Sequence, residues 1–413
     1  MSYSKSVFFI PVWFDNFQAF TKKLTKSQSW EPADKALFCP RYLLSYATRI
    51  ADNSNLFQLF TLKKAFVPKV YMFRDQLGLR NDPEIEDVRF ACFSTGVGFL
   101  EFWVSYKDMT PEDIANFAYQ FKKAAKMCGK DIPDGQLALY DAAVSLLPEK
   151  AEAELFFSAA APFKYECSCF HFLHLDEAPG DSEASRLRLC RLSHSYNTKM
   201  EFSVESDYDM LYTSGAGDHW GGSSEGLVNI TYDFADSDSD YYLHTLKISH
   251  LSVDYYFLYL LLLNQRFSGI RYIQEIAAAF DKTHSQIIRL NKRIVELKTV
   301  FSFNVISDDR VFQNVYSRMY SILEIRHLLD DLVDNEDQMQ ILQNAGSVRA
   351  EKVSSIFLLG ISLLSLFSAL IDASSYFDRF QSLQPFSTVL GLGCVAATMV
   401  LCIFWLINRH NKL

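Results

Sequence analysis

The sequence predicts an α+β cytoplasmic domain followed by a long helical stalk and a C-terminal two-helix transmembrane hairpin. Two apolar runs, 353–371 and 386–407, contain no Lys, Arg, Asp or Glu. A run of about 17–25 apolar residues can cross a bilayer as a helix. Before them, apolar residues recur at three- and four-residue steps, as in a heptad seam. We therefore expect an α/β domain over 1–240, the stalk over 241–350 and the hairpin over 351–413.

Charges beside the two apolar runs predict a multi-pass protein of the cytoplasmic membrane. Arg349 and Lys352 precede the first run, and Arg409 and Lys412 follow the second, whereas the connecting loop 372–385 holds two Asp and a single Arg. Positively charged flanks stay on the cytoplasmic side. Both termini are therefore expected in the cytoplasm, and the N-terminal sequence lacks the sustained apolar segment of a signal peptide.

The overall composition limits the classes of partner. The chain has 413 residues and a formal net charge of −9. Because binding to nucleic-acid phosphates needs a basic surface, this acidic balance argues against direct nucleic-acid binding. The eight cysteines are scattered along the chain, and in the cytosol we expect them to be reduced thiols.

Strand and helix signals are mixed in the first 240 residues. Residues 88–106 predict a β-hairpin, because two aromatic-rich runs flank a turn with two glycines. Thr110 and Pro111 have the residue types of a helix start. The later stretches that predict strands are 154–163, 165–175, 185–196, 209–214 and 226–234.

From residue 241 the pattern becomes helical. The apolar run 257–263 is too short to span a bilayer before polar residues interrupt it, so it predicts a buried helix. Residues 281–301 predict a basic amphipathic helix, and 304–310 predict a break. The apolar residues of the stalk seam that follows are Phe312, Val315, Met319, Ile322, Leu329, Leu332, Met339 and Leu342.

The order of amphipathic stalk, first span, short outer loop and second span resembles the CorA-type magnesium transporter family. The resemblance implies a homo-oligomer, a pentamer as in that family, whose pore is lined by the first span. The family's Gly-Met-Asn signature is absent, and 371–377 stand in its place. The chain also resembles divergent CorA-like membrane effectors encoded beside type III CRISPR systems, which implies a nucleotide second messenger as ligand.

A polar stripe on the first apolar run predicts the lining of an ion pore. Steps of three, four and seven residues place its members on one side of a helix. If the chains form a ring, the carboxylates of Asp372 would favour cations at the outer mouth. Packing between spans is the alternative, since Ser permits close helix contact. The members are Ser355, Ser362, Ser365, Ser368, Asp372 and Ser375.

A glycine-rich segment at 213–226 is the predicted ligand-binding loop. Its backbone N–H groups could converge on an anion, while Trp220 stacks on a base and His219 hydrogen-bonds a phosphate. It matches neither the P-loop nor the dinucleotide fingerprint, and a mobile hairpin loop is the alternative. The candidate residues are Gly215, Gly217, His219, Trp220, Gly221 and Gly222.

Cysteine and histidine side chains at 167–174 have the residue types of a zinc site. Alternation along a strand, however, places Cys167, Cys169 and His171 on one face and His174 on the other. Four ligands would not converge without a turn. A structural strand is therefore the favoured interpretation.

Two acidic clusters offer ligands for Mg²⁺ or another divalent cation. The first alternates Asp233, Asp236, Asp238 and Asp240 in a predicted loop. For each cluster, a solvated surface is the alternative. The second lies in the stalk, where the candidate metal ligands are Asp330, Asp331, Asp334 and Asp337.

These patterns predict a CorA-like, homo-oligomeric membrane ion channel gated by ligand binding to its cytoplasmic sensing domain. The resemblance implies a nucleotide second messenger of type III CRISPR antiviral defence as the ligand, and no cofactor beyond a divalent cation is expected. The expected partners are further copies of the chain and the lipid bilayer. The alternative is a divalent-cation transporter without the usual filter. No nucleophile elbow, HExxH or Walker lysine occurs, so the chain is not expected to be an enzyme.

Overall fold

One mixed β-sheet lies at the centre of the N-terminal unit. The chain divides into two compact units, Met1–Asn335 and Glu336–Leu413. All residues described here belong to the first unit. The computed structural model describes residues 3–34, 40–73, 77–79, 83–124, 132–148, 153–156, 167–177, 182–201, 210–215, 217–233, 246–278 and 284–334.

The sheet follows the order β2-β3-β4-β5-β1-β7-β10-β9-β8, and β6 pairs with the end of β1. Strands β7 and β10 are parallel, and the other pairs are antiparallel. The strands are β1 (Ser4–Phe14), β2 (Trp30–Pro32), β3 (Phe57–Leu62), β4 (Glu84–Phe93), β5 (Val97–Ser105), β6 (Ala153–Leu155), β7 (Ser168–Leu175), β8 (Met210–Gly215), β9 (Asp218–Gly222) and β10 (Gly226–Tyr232).

Helices cover the two faces of this sheet. A π-helical turn, Leu251–Tyr255, joins α6 to α7, and a further helical stretch runs over 325–334. The helices are α1 (Phe17–Lys26), α2 (Ser45–Asp52), α3 (Pro111–Ala124), α4 (Leu139–Leu146), α5 (Ser182–Ser193), α6 (Lys247–His250), α7 (Tyr256–Ala277), α8 (His284–Val300) and α9 (Arg310–Ile322).

The central strand β1 shows why both faces need covering. Its side chains alternate between two helical layers: Phe8 packs against Phe121 of α3 at 4.8 Å, and Phe9 packs against Tyr259 of α7 at 5.6 Å. A strand buried on both faces has a nearly continuous apolar sequence. We call the two surfaces of the sheet the α3 face and the α7 face.

Several local predictions are confirmed. Strands β4 and β5 form the predicted hairpin, and the φ of +86° at Gly96 is a conformation that favours glycine. At the start of α3, the Thr110 hydroxyl accepts from the Asp113 N–H at 3.1 Å, and the Asp113 carboxylate accepts from the Thr110 N–H at 3.3 Å. This reciprocal cap satisfies two N–H groups at the helix start.

The stretch 185–196 is wrongly predicted as a strand, because most of it forms helix α5. The alternation of Arg and Leu suggested a two-residue period. The buried positions of this helix are instead Ser185, Leu189, Cys190, Leu192 and Ser193, while Leu187 is exposed. Steps of three and four residues bury one side of a helix.

The structure also corrects the predicted fold class, since residues 246–334 do not form a long stalk. They fold as a series of helices that pack on the α7 face or on one another. Phe312 of α9 stacks on Tyr255 at 4.0 Å, and Leu332 is fully buried. Helix α7 is buried as predicted, with apolar side chains around its first two turns.

The transmembrane hairpin and the multi-pass location in the cytoplasmic membrane are corrected as well. In the part of the chain that the structure describes, no helix is long and apolar enough to cross a bilayer. The apolar helix α7 carries Arg266, Arg271 and Glu275 within its 22 residues. The two segments predicted as spans, 353–371 and 386–407, lie outside the described residues.

Candidate metal centre

The carboxyl ends of the parallel strands β7 and β10 lie side by side. His174 of β7 is paired with Thr231 of β10. Asp176 follows His174 by two residues, and Asp233 follows Thr231 by two residues. Successive side chains of a strand point to opposite faces, so residues two apart point the same way. These four side chains therefore meet at the same end of the sheet.

Three of these side chains converge. His174 Nε2 lies 3.2 Å from Asp233 Oδ1 and 3.7 Å from Asp176 Oδ1, and the three ligand atoms lie within 4.8 Å of one another. Ligand atoms that share a cation at bonds of about 2.1 Å are roughly 3.0–3.5 Å apart. The first separation is that of a hydrogen bond between His174 Nε2 and Asp233 Oδ1 and also falls in this range, and rotation of the exposed Asp176 carboxylate would close the other.

Contacts on the other side of the ring hold the His174 imidazole in place. Its Nδ1 lies 3.0 Å from Thr231 Oγ1, and the Thr231 hydroxyl donates to the Leu173 carbonyl at 3.2 Å. The ring of Tyr3 stacks on the imidazole at 5.5 Å. Only 1% of His174 is exposed, whereas Asp176 and Asp233 reach solvent. The site therefore combines a buried, oriented nitrogen ligand with two accessible carboxylates.

The charge around the site favours a cation. The partly exposed carboxylates of Asp176 and Asp233 lie beside the imidazole. The guanidinium of Arg188 pairs with Glu177 at 2.6 Å and with Glu112 at 3.3 Å. This guanidinium therefore pairs with two carboxylates that are not among the three converging ligands.

The arrangement can bind a divalent cation through three side chains and leave other coordination positions for solvent or a ligand. Comparison with protein-family models, curated proteins and solved structures finds no match. The resemblance to the CorA-type family therefore stays a prediction.

The glycine-rich segment predicted as a loop forms strands β8 and β9. Gly215 ends β8, and Gly221 and Gly222 end β9, where they pair with β10. A side chain at Gly221 would lie 2.9 Å from Leu189 Cβ of α5. This glycine therefore permits close packing of a helix on the strand.

Trp220 and His219, the two side chains in that segment predicted to contact a nucleotide, pack against aromatic rings of the protein itself. Trp220 is fully buried, and its ring packs against Tyr255 at 4.4 Å. His219 packs edge-on against Tyr232 at 5.2 Å. The prediction that Trp220 stacks on a ligand base is corrected, because the protein's own rings occupy that position. Gly217, just before β9, is also buried.

Of the acidic residues predicted as metal ligands in the stalk, the three that the structure describes form no cluster of ligand atoms. Asp330, Asp331 and Asp334 are exposed on the 325–334 helix. Among the described residues, the three-ligand cluster is that of His174. Asp337 lies outside the described residues, as do the predicted pore-lining residues Ser355, Ser362, Ser365, Ser368, Asp372 and Ser375.

The cysteines beside His174 lie on the opposite face of β7, as the alternation predicted. Cys169 contacts Ser195 at 3.5 Å, and His171 contacts Ser6 at 2.5 Å, both on the α3 face. The structure thus separates His174 from its predicted partners and places it with Asp233, from a different predicted cluster.

Sequence reasoning missed Asp176 and Thr231. A His-x-Asp pattern at the end of one apolar strand, and Asp233 at the end of another, are visible signals. The signal becomes specific only when β7 and β10 are known to be parallel neighbours. Their connection includes α5 and the β8–β9 hairpin, so sequence spacing does not show the pairing.

Proposed function

We propose that the N-terminal unit is a ligand-binding domain that holds a phosphate-bearing small molecule through a divalent cation. The observation that supports this function best is the convergence of His174, Asp176 and Asp233 beyond the carboxyl ends of two parallel strands. Ligands of α/β sheets commonly bind outside such strand ends.

A bridging cation explains how an acidic edge can receive an anionic ligand. Phosphate would be repelled by the carboxylates of Asp176 and Asp233 alone. A cation held by one or two carboxylates and completed by a phosphate is a common arrangement. A nucleotide is the proposed ligand because the resemblance to CRISPR-associated CorA-like effectors implies one.

We propose a role in binding rather than catalysis, with ligand occupancy as the signal. Assembly into a homo-oligomer stays a proposal that rests on the resemblance. The proposed function does not include a membrane channel, because the predicted spans and pore residues lie outside the described residues.

Calorimetry with AMP, a phosphate monoester that itself holds cations weakly, tests the proposed function. We expect the full chain to bind AMP with Mn²⁺ present and to lose that binding with excess chelator. Asp233→Asn should weaken AMP binding by roughly 100-fold or more, at the upper end of the loss seen when supporting residues of metal sites are changed.

Asp330→Asn is the matched control, since Asp330 is exposed and lies outside the cluster. It should bind AMP as the wild type does. AMP binding that persists in chelator, or that survives Asp233→Asn, would contradict a cation-mediated site. Failure of wild-type protein to bind AMP with Mn²⁺ would contradict the phosphate ligand.

A further inference from the structure

Exposed apolar side chains are concentrated on one surface, which three separate segments of the chain build. Among the described residues, four of the eleven exposed large apolar side chains belong to these segments. We call this surface the tyrosine patch, and its exposed members are Tyr42, Tyr46, Leu246 and Val305. Exposed apolar side chains that are grouped in this way, rather than scattered singly, mark a surface that binds a partner.

Hydrogen bonds to backbone groups hold the three segments together. The Leu44 N–H donates to the Ile306 carbonyl at 2.8 Å, and the Ser307 hydroxyl donates to the Tyr42 carbonyl at 2.5 Å. The buried carboxylate of Asp254, in the third segment, accepts from the Tyr42 N–H at 3.2 Å. The tyrosine patch is therefore a fixed part of the fold.

Both tyrosine rings of the patch pack on buried aromatic rings. Tyr42 stacks on Phe312 of α9 at 5.3 Å, with an angle of 3° between the ring planes. Tyr46 stacks on Phe303 at 5.4 Å. Each tyrosine is nevertheless 42% exposed. Because packing already restricts these two side chains, they lose little conformational freedom when a partner covers them, which is a property of interface anchors.

Charges of both signs border the patch, on different segments. Arg49 is exposed on α2, about one helical turn after Tyr46. Partial burial and the nearby carboxylate of Asp308 raise the pKa of Tyr46, and Asp308 is exposed. Within the described part of the chain, neither Arg49 nor Asp308 has an ion-pair partner. A surface that carries an apolar centre and both signs of charge is complementary to a second copy of itself.

We propose that the tyrosine patch is a self-association surface, where two copies of the chain meet about a two-fold axis at Tyr46. An isologous contact of this kind uses the same residues on both subunits. Arg49 of each copy then faces Asp308 of the other, and the exposed tyrosines of the two copies cover one another. This inference goes beyond the proposed function and does not depend on the metal centre, so failure of either one leaves the other in place.

Charge reversal in the full chain tests this surface. Arg49→Glu would place two carboxylates opposite each other at both symmetry-related contacts, and Asp308→Arg would place two guanidinium groups there. Each variant alone should self-associate at least ~10-fold more weakly than the wild type, because facing like charges are unfavourable. Sedimentation velocity over a range of concentrations measures the association. Circular dichroism checks that the variants are folded, as expected for substitutions at exposed positions.

Mixing the two variants gives a result that loss of folding would not produce. In a mixed pair, the introduced carboxylate faces the introduced guanidinium, while the remaining Asp308 faces the remaining Arg49. The equimolar mixture should therefore associate within a few-fold of the wild type, as pairs that contain one copy of each variant. A fluorescent label on one variant identifies these pairs.

Two further variants separate the tyrosine patch from a general effect. Tyr46→Ala should weaken self-association by roughly 30-fold or more, as for other aromatic interface anchors. Lys22→Glu is the control for charge reversal, because Lys22 is exposed on α1, which packs on the α3 face through Phe20. It should associate as the wild type does.

Several results would overturn the proposal. A wild-type chain that stays monomeric at every concentration overturns self-association. Association equal to wild type in Arg49→Glu, Asp308→Arg or Tyr46→Ala overturns the tyrosine patch as the contact surface. Weak association of the equimolar mixture overturns the two-fold arrangement, and weak association of Lys22→Glu shows that net charge, rather than this surface, controls assembly.

Discussion

Glu101 lies fully buried on the α7 face of β5, where a carboxylate is costly to keep charged. The Tyr256 hydroxyl donates to both carboxylate oxygens at 2.7 and 2.8 Å, and Trp103 Nε1 donates at 3.2 Å. Burial raises the pKa of Glu101 to about 7, although these hydrogen bonds and nearby Arg89 act in the opposite direction. Glu101 is therefore protonated more readily in the folded chain.

Glu101→Gln should remove a pH dependence of stability. An acid whose pKa is raised on folding holds its proton more tightly in the native state, so stability is greatest below about 4.5 and falls as pH rises to about 7. The full effect is about 3 kcal/mol, from the shift between those values. Urea unfolding across this range should show a smaller decline for Glu101→Gln.

Glu31→Gln is the control for Glu101, because Glu31 is exposed on β2. It should decline in stability with pH as the wild type does. A wild-type decline that persists unchanged in Glu101→Gln would show that another group is responsible.

At the candidate metal centre, the sequence showed the ligand types but not their partners. His174 was grouped with neighbouring cysteines, and Asp233 with aspartates close in sequence. Chemistry that depends on a residue type can be predicted from the chain. The pairing of β7 with β10 could not be predicted, because it depends on packing between segments that are far apart in the sequence.

Among the elements, β9 shows how glycines serve packing. Gly221 faces α5, where an added Cβ would meet Leu189 Cβ at 2.9 Å. A Cβ added at Gly226, at the start of β10, would lie 2.8 Å from Cys169 Sγ. Such contacts are shorter than ordinary van der Waals separation, so the strand and its neighbours approach closely only because no side chain intervenes.

Gly221→Ala should therefore destabilise the fold, by about 1–3 kcal/mol, as for other overpacked interiors. Urea unfolding followed by tryptophan fluorescence measures the loss. Ser224→Ala, at an exposed neighbouring position, serves as the control and should change stability little. Stability equal to wild type in Gly221→Ala would argue that this segment is a flexible loop, as the sequence suggested.

Elements with end signals or long apolar runs were predicted best. The cap of Thr110, the β4–β5 hairpin and the buried helix α7 each carry a local signal. The stretch 185–196 failed because a short alternation of Arg and Leu is compatible with both a strand and one side of a helix. Only its packing against β9 and β10 decides between them.

For the whole molecule, the sequence indicated which stalk residues are apolar but not what they contact. Phe312, Met319 and Leu332 are buried, in agreement with their place in the predicted seam. Their helices are interrupted at Glu324, whose φ is +53°, and pack within the N-terminal unit. A repeat of three- and four-residue steps predicts a buried helix side, whereas the identity of the partner surface depends on the tertiary fold.

The order of the strands in the sheet could not be predicted from the sequence either. Strand β1 lies between β5 and β7, and it pairs with residues 97–105 and 168–173. Such long-range pairing leaves no local signal beyond the apolar character of the strands. The central claim, a divalent-cation centre at the ends of β7 and β10, follows from this order.

Equilibrium dialysis of the full chain against Zn²⁺ and Mn²⁺ tests that claim most directly. We expect the wild type to retain a bound cation that chelator removes. The Asp176→Asn, Asp233→Asn double variant should lose it, while an Asp330→Asn, Asp334→Asn double variant should retain it. Cation binding that survives in the first variant, or its absence in the wild type, would contradict a metal centre at this site.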